Sequence, residues 1–326
     1  MRVVRDLSEL QGPLHASAVT VGNFDGIHRA HRELLGRVVR SAEELGGTSV
    51  VITFDPHPAQ VMAPGRAPEI LTPLALKTRL IEKEGLELLV VLRFNRELAA
   101  LSPAEFASSI LVQRLGAAVV HVGSNFCFGH QRAGDTSVLA ELGKQGGFRV
   151  ETLPMIKVHG HRVSSSQVRH MLAEGQVEIA GRMLGRPYAV GGAITAGEGV
   201  GRKQTVPTLN LGPVEQQLPK NGVYITRTRV GDTLHDSVTN VGHKPTFGPH
   251  RLGVESFLLD FHGEIKAGEM EVEFLHRLRD EIEFPGAEAL KQQIQHDVRR
   301  SLKFFRLMKS LSGRASRPNR STPAGA

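Results

Sequence analysis

Cysteine occurs once in the 326 residues, at Cys127. An internal disulfide is therefore excluded, and a reducing compartment is the expectation. Long apolar runs are missing too: none approaches the ~18 residues that span a bilayer. The chain opens Met-Arg-Val-Val-Arg-Asp, without the apolar core of a signal peptide. A cytoplasmic protein with no membrane attachment is predicted. Acidic residues are absent from 301–326, a stretch that holds Lys303, Arg306, Lys309, Arg314, Arg317 and Arg320. The net charge of +7 resides largely there, because the rest of the chain carries 34 basic against 33 acidic residues. That balance argues against a specific nucleic-acid partner. Over 312–326 the composition predicts a solvated, disordered tail. The length suits about two domains, each large enough for its own core.

What the chain does contain starts at Val19-Thr-Val-Gly22-Asn-Phe-Asp25-Gly-Ile-His28-Arg-Ala-His31. A β-branched run ends in Gly22. The following segment places Leu34, Leu35, Val38, Val39, Ala42 and Leu45 at helical spacing. This reads as buried strand, glycine turn and helix N-terminus, and the free N–H groups of such a terminus favour a phosphate. His28 and His31, three apart, share one helix face. Zinc is the competing ligand, but it needs further donors, one cysteine supplies none in register, and no His-Glu-x-x-His pair occurs.

Strand-like and helix-like segments alternate through residues 1–155. Strands are predicted over Thr48–Phe54, Glu87–Phe94, Ala117–Val122 and Phe148–Leu153, with helices over Thr136–Lys144 and from the Ser102-Pro103 cap through Leu115. Such alternation implies a doubly wound parallel α/β sheet, with ligands beyond the strand C-termini. Three polar stretches fall there: the Gly22 turn, Thr53-Phe-Asp-Pro-His-Pro58 and Gly123-Ser-Asn125-Phe126-Cys-Phe128-Gly. Phe126 or Phe128 offers a flat apolar face on which a planar ring can stack; a turn is the plainer role for Asn125. Ser164-Ser165-Ser166-Gln-Val-Arg169 starts a helix with hydroxyls and an arginine one turn in, a cap and a second phosphate site alike. A short helix is predicted over Gln176–Met183.

From Tyr188 to Leu275 the texture changes to short strands with Gly/Pro turns, and a helix is predicted over Ala287–Leu307. Sheet without intervening helices implies a small antiparallel β-barrel closed by a C-terminal helix. The stretch from Val190 to Lys203 is glycine-rich and has no Walker pattern; its Gly197, Gly201 and Arg202 suit a phosphate loop. Thr208 and Asn210, two apart on a strand, share a face and fit one Mg²⁺ as oxygen donors, or simply a solvated edge. Glu255 stands alone in the apolar run Val254–Leu259, a candidate general base.

Taken in order, these stretches resemble the bacterial bifunctional riboflavin kinase/FMN adenylyltransferases, also called FAD synthetases. The first half resembles the family's Gly-x-Phe-Asp-Gly-x-His-x-x-His, Phe-x-Pro-His-Pro, Gly-x-Asn-Phe-x-Phe-Gly and Ile-Ser-Ser-Thr-x-Ile-Arg motifs. The second half, with Leu184-Gly-Arg-Pro-Tyr188, Pro207-Thr-Leu-Asn-Leu211, Asn240-Val-Gly242-x-x-Pro245-Thr-Phe-Gly248 and Leu278-Arg279-Asp-Glu, resembles riboflavin kinase. The resemblance implies an adenylyltransferase over 1–183, a riboflavin kinase over 184–311 and the tail over 312–326. It implies catalytic roles for His28, His31 and Glu255. It implies nucleotide or phosphate contacts for Gly22, Asn23, Phe24, Asp25, Asn125, Ser164, Ser165, Arg169, Gly197, Gly201 and Arg202. Phe126, Phe128 and Arg279 would meet flavin, and Thr208 and Asn210 would hold Mg²⁺. Riboflavin, FMN and ATP would be the partners; the sequence is also compatible with a weak homo-oligomer and does not decide the oligomeric state. Two departures stand out: Ala30 and Thr205 occupy positions where the family has glycine. Ala30 motivates the alternative of a riboflavin kinase with a weakened or inactive adenylyltransferase half. A flavin- or nucleic-acid-binding regulator without turnover is the reading from another class.

Overall fold

The computed structural model describes residues 1–10, 12–195, 208–243, 252–261, 263, 265 and 267–315. The predicted loop residues Gly197, Gly201 and Arg202, together with Thr205, the motif at 245–248 and the chain beyond 315, lie outside them. Contacts divide the chain into two compact units. One comprises Met1–His170, Arg182–Arg186 and Glu215–Gln217; the other comprises Met171–Gly181, Pro187–Val214 and Leu218–Ala326.

The first unit runs β1 Arg2–Val4, β2 Ser17–Val21, α1 Arg29–Leu45, β3 Ser49–Asp55, α2 Pro58–Met62, α3 Leu74–Glu82, β4 Leu88–Arg93, α4 Arg96–Ala100, α5 Pro103–Phe106, β5 Ala117–Gly123, α6 Thr136–Gly146, β6 Arg149–Leu153 and the short pair β7 Lys157–Val158 and β8 His161–Arg162. The chain then passes through α7 Ser165–Ala173 and α8 Val177–Leu184. Six parallel strands lie in the order β1-β4-β3-β2-β5-β6. The near-continuous apolar sequences of the four central strands, β2 to β5, reflect burial on both faces. Val19, Val21, Ile52, Val90 and Val120 pack on one side with Ile110, Leu111 and Leu139. Ala18, Val51, Leu89 and Val119 pack on the other with Leu34, Leu35, Val38 and Ile81. The chain leaves β2 toward β3 on one side and returns to β5 on the other. The C-terminal ends of β2 and β5 therefore flank the switch point, where such sheets bind ligands.

One helix departs from expectation. The predicted Ser102 cap forms, with the Glu105 N–H donating to Ser102 Oγ at 3.2 Å and the Ser102 N–H to the Glu105 carboxylate at 2.8 Å. Only Pro103–Phe106 is α-helical, however, and Ala107–Val112 widens into π-helical turns. Ser109 Oγ donates to the Glu105 carbonyl at 2.5 Å and Ser108 Oγ to the same oxygen at 3.3 Å. Those hydroxyls compete with the backbone for one acceptor and loosen the ladder.

The second unit contains β9 Tyr188–Thr195, β10 Thr208–Leu211, β11 Gly222–Val230, β12 Thr233–His243, β13 Leu252–Leu258, β14 Glu269–Arg279 and α9 Ala287–Ala315. The strands close an antiparallel barrel in the order β10-β13-β12-β11-β14-β9. Helix α9 extends past Ser312, where the sequence places the start of the tail. Val298, Leu302, Phe304 and Phe305 pack on Val223, Ile225, Val238 and Phe257, which project outward from the strands. The alternate residues turn inward, and among them five fully buried hydroxyls form a closed circuit. Thr239 donates to Ser256 at 3.0 Å; Ser256–Thr228 at 2.6 Å, Thr228–Ser237 at 2.9 Å, Ser237–Thr226 at 2.8 Å and Thr226–Thr239 at 2.7 Å complete it. Each hydroxyl can give one hydrogen bond and take one, so the circuit satisfies itself.

Candidate active sites

The loop from Gly22 to His28 is held in an unusual backbone conformation. Phe24 and Ile27 have φ of 46° and 40°, the left-handed region, although both side chains are buried. Such residues cost about 1–3 kcal/mol each and persist only when their surroundings over-determine them. Here the surroundings do so. The buried Asp25 carboxylate accepts the Leu71 N–H at 3.0 Å and the Thr72 N–H at 2.9 Å, and it pairs with Arg169. The Gly26 N–H donates to Thr72 Oγ1 at 3.0 Å, and Ser165 Oγ donates to the Asp25 carbonyl at 2.8 Å. Arg186 donates to the carbonyls of Gly26 at 2.7 Å and Ile27 at 2.9 Å. Asp25, Ser165 and Arg169 are thus brought together, as clamps on the loop.

His28 is the N-cap of α1 rather than a residue of its first turn: its Nδ1 accepts the His31 N–H at 3.2 Å. With Nδ1 occupied as acceptor, the neutral ring carries its proton on Nε2. The His28 and His31 rings stack with centroids 3.6 Å apart, and Phe24 lies 5.0 Å from His31. Burial, with Arg186 nearby, depresses His28 to a pKa of about 4, and burial drives His31 well below the usual imidazole range. Both are uncharged at neutral pH. Burial also lowers His57, in the Pro-His-Pro turn after β3. Asn23 is exposed, Gly22 half-buried, and the Asn23 carbonyl receives the Lys77 ammonium at 2.8 Å.

At the end of β5, Asn125 is exposed and Phe126 half-buried. Phe128 packs edge-on against Phe106 in the core, and Phe126 stacks on it at 5.3 Å. The outer face therefore belongs to Phe126. Ser164 Oγ accepts the Gln167 N–H at 3.2 Å, so it caps α7.

In the barrel, Thr208 Oγ1 donates to Glu255 Oε1 at 2.6 Å. Asn210 stands directly opposite Glu255 on β10, and Asn240 stands opposite it on β12. All four residues share the outer face of the barrel wall. Four oxygen-bearing side chains so placed match the hard donor set that Mg²⁺ prefers. Arg279 is engaged with the buried Asp297, Nε–Oδ2 2.9 Å, and lies over the Phe284 ring. The sequence did not single out Lys77, and it placed Arg186 and Asn240 inside motifs without giving either a role. Lys77 carried a signal: with Leu74 and Ile81 it completes an i, i+3, i+7 stripe on α3 that should be apolar.

A strand–loop–helix crevice at the switch point of a parallel sheet, joined in one chain to a barrel bearing a carboxylate beside oxygen donors, suits a transferase with two separate sites. The family model for FAD synthetase matches residues 11–167, and that for riboflavin kinase matches residues 184–305. The chain is 38% identical over 299 residues to the bifunctional riboflavin kinase/FMN adenylyltransferase of Pseudomonas fluorescens, covering 91% of this chain and 96% of that one. It is 33% identical to the enzyme of the same description from Escherichia coli (strain K12), covering 95% and 99%. A crystal structure described as a macrolide-efflux protein from Streptococcus pneumoniae shares the fold, with a TM-score of 0.81 and 26% identity over 91% of this chain and 96% of that chain. The chain belongs to the bifunctional riboflavin kinase/FMN adenylyltransferase family.

Proposed function

We propose that the two activities, phosphorylation of riboflavin to FMN and adenylylation of FMN to FAD, divide at residues 183/184 and use the residues just described. In the kinase step Glu255 takes the proton of the riboflavin 5′-hydroxyl as that oxygen attacks the γ-phosphorus of ATP, and ADP leaves. Thr208 and Asn210 would hold Mg²⁺, which neutralises phosphate charge when bound. In the adenylyl step an oxygen of the FMN phosphate attacks the α-phosphorus of a second ATP. The α–β bridge breaks and pyrophosphate departs with the bonding pair, so no proton need move. His28, with Nε2–H free to donate, and His31 stabilise charge on the phosphates, and Ser164 and Arg169 bind beside them. Phe126 stacks on the flavin. The enzyme works on these small molecules in the cytoplasm, without a nucleic-acid partner.

The observation that carries the residue assignment is the Thr208–Glu255 hydrogen bond, with Asn210 in register beside it. It joins the candidate base to the candidate metal donors. The test supplies riboflavin, ATP and Mg²⁺ and resolves FMN from FAD by chromatography. Glu255→Gln should cut FMN formation roughly 10²–10⁴-fold while supplied FMN still becomes FAD. His28→Ala should accumulate FMN without FAD. An unchanged kinase rate in Glu255→Gln makes the carboxylate structural.

A further inference from the structure

Among the described residues, no carboxylate lies within 4 Å of the buried Lys77 ammonium. Lys77 lies in the first turn of α3 and is 7% exposed. Its Nζ donates to the Asn23 carbonyl at 2.8 Å and, at a longer 3.4 Å, to Thr53 Oγ1. Thr53 Oγ1 itself donates to the same carbonyl at 3.2 Å. An ammonium has three donors, and the third finds no partner among the described residues. The acidic side chains that act on Lys77 from a distance are Asp25 and Asp55. Asp25 is already matched by Arg169 and two backbone N–H groups.

The other neighbours make the position worse for a cation. Lys77 faces the positive end of its own helix. Its charge, with that of Arg169, helps hold His57 neutral, and it does the same to His31. His31 Nδ1, buried nearby in the same loop-and-helix turn, has no hydrogen-bond partner. A buried charge without a counter-charge is expensive. Burial accordingly pulls the Lys77 pKa down. The arrangement becomes economical when an anion completes it, and the geometry fixes where: beside Asn23, at the turn leading to His28.

We propose that Lys77 is a phosphate-binding residue of the adenylylation site, anchored by the Asn23 carbonyl so that its remaining N–H meets a phosphate oxyanion of a substrate. This rests on the reading of the His28 turn as the adenylyl-transfer site. The oxyanion belongs either to the ATP β,γ-phosphates, which leave as pyrophosphate, or to the FMN phosphate.

Full-length Lys77→Met and Lys77→Arg test it, with His28→Ala run in parallel. Lys77→Met should lower FMN adenylylation by 10²-fold or more, leave riboflavin phosphorylation within twofold, and keep or raise the melting temperature, since it removes a buried charge. Lys77→Arg should recover part of the lost rate. If the lysine holds the ATP tail, the reverse reaction of FAD with pyrophosphate loses kcat/KM for pyrophosphate; if it holds FMN, KM for FMN rises instead. Adenylylation within threefold of wild type in Lys77→Met overturns the proposal. So does a loss accompanied by a lower melting temperature and no recovery with arginine, which makes Lys77 only a tie for the loop. If His28→Ala also keeps its activity, the site reading itself fails; if only Lys77→Met does, the lysine inference alone fails.

Discussion

Neutral His28 couples the turn from Gly22 to His28 to folding. In the unfolded chain its imidazole titrates near 6.5, whereas burial in the native turn lowers it to about 4. Between those values the unfolded chain binds a proton that the native chain refuses. Stability from this residue is therefore complete above pH 6.5 and falls as pH drops toward about 4. The gap corresponds to roughly 3 kcal/mol. His28→Asn keeps an N-cap acceptor but does not titrate, so its denaturant-derived stability should fall less steeply across that window. Parallel curves for the two proteins would show that His28 is as protonatable folded as unfolded. Ala30 belongs to the same turn. It is the second residue of α1 and half-buried, and alanine favours a helix over glycine by up to ~1 kcal/mol. Ala30→Gly should change FAD formation only modestly; a many-fold rise would mean that the methyl obstructs the site.

Elements show where sequence patterning holds and where it inverts. The four central strands of the parallel sheet were legible because burial on both faces makes them nearly continuous apolar runs, whereas β1, three residues with two exposed, was not; the Ser102 capping box was legible because its chemistry is local. The barrel strands were legible as strands but not as to which face is buried. Thr226 and Thr228 alternate with Ile225, and Ser237 and Thr239 alternate with Val238, a pattern that ordinarily sends hydroxyls to water. Here α9 covers the apolar side and the hydroxyls fill the interior, where only a closed circuit makes them tolerable. That closure depends on three strands in register, and no single strand's sequence contains it. Thr239→Val, nearly isosteric, opens the circuit and strands its neighbours; it should cost about 1–3 kcal/mol. Adding Ser256→Ala removes a group already stranded, so the second loss should be smaller than Ser256→Ala alone by about 1 kcal/mol or more. Additive losses in urea unfolding would show that the hydrogen bonds act independently.

At the scale of the molecule, the sequence placed the change of texture near Leu184, but the second unit also claims Met171–Gly181. The reason is a set of contacts between residues distant in sequence, which composition cannot register. The Lys220 N–H donates to the Leu172 carbonyl at 2.9 Å, and the Glu178 carboxylate pairs with His276 and accepts the Arg277 N–H at 3.4 Å. Gly175, at φ +75°, lies so close to Arg277 that a Cβ would sit 2.6 Å from its Cδ. A fragment beginning at Leu184 loses all three. One beginning at Ser164 keeps them together with the start of α7. Both should phosphorylate riboflavin and neither should make FAD, but the longer fragment should melt about 2–8 °C higher, as a loss of one or two kcal/mol implies for a domain of this size. Its kinase rate should match that of the full chain, whereas the shorter fragment should lose activity on warming first. Equal melting temperatures would mean that the segment before Leu184 adds nothing to the barrel, and a longer fragment without kinase activity would mean that the first unit contributes to the phosphorylation site.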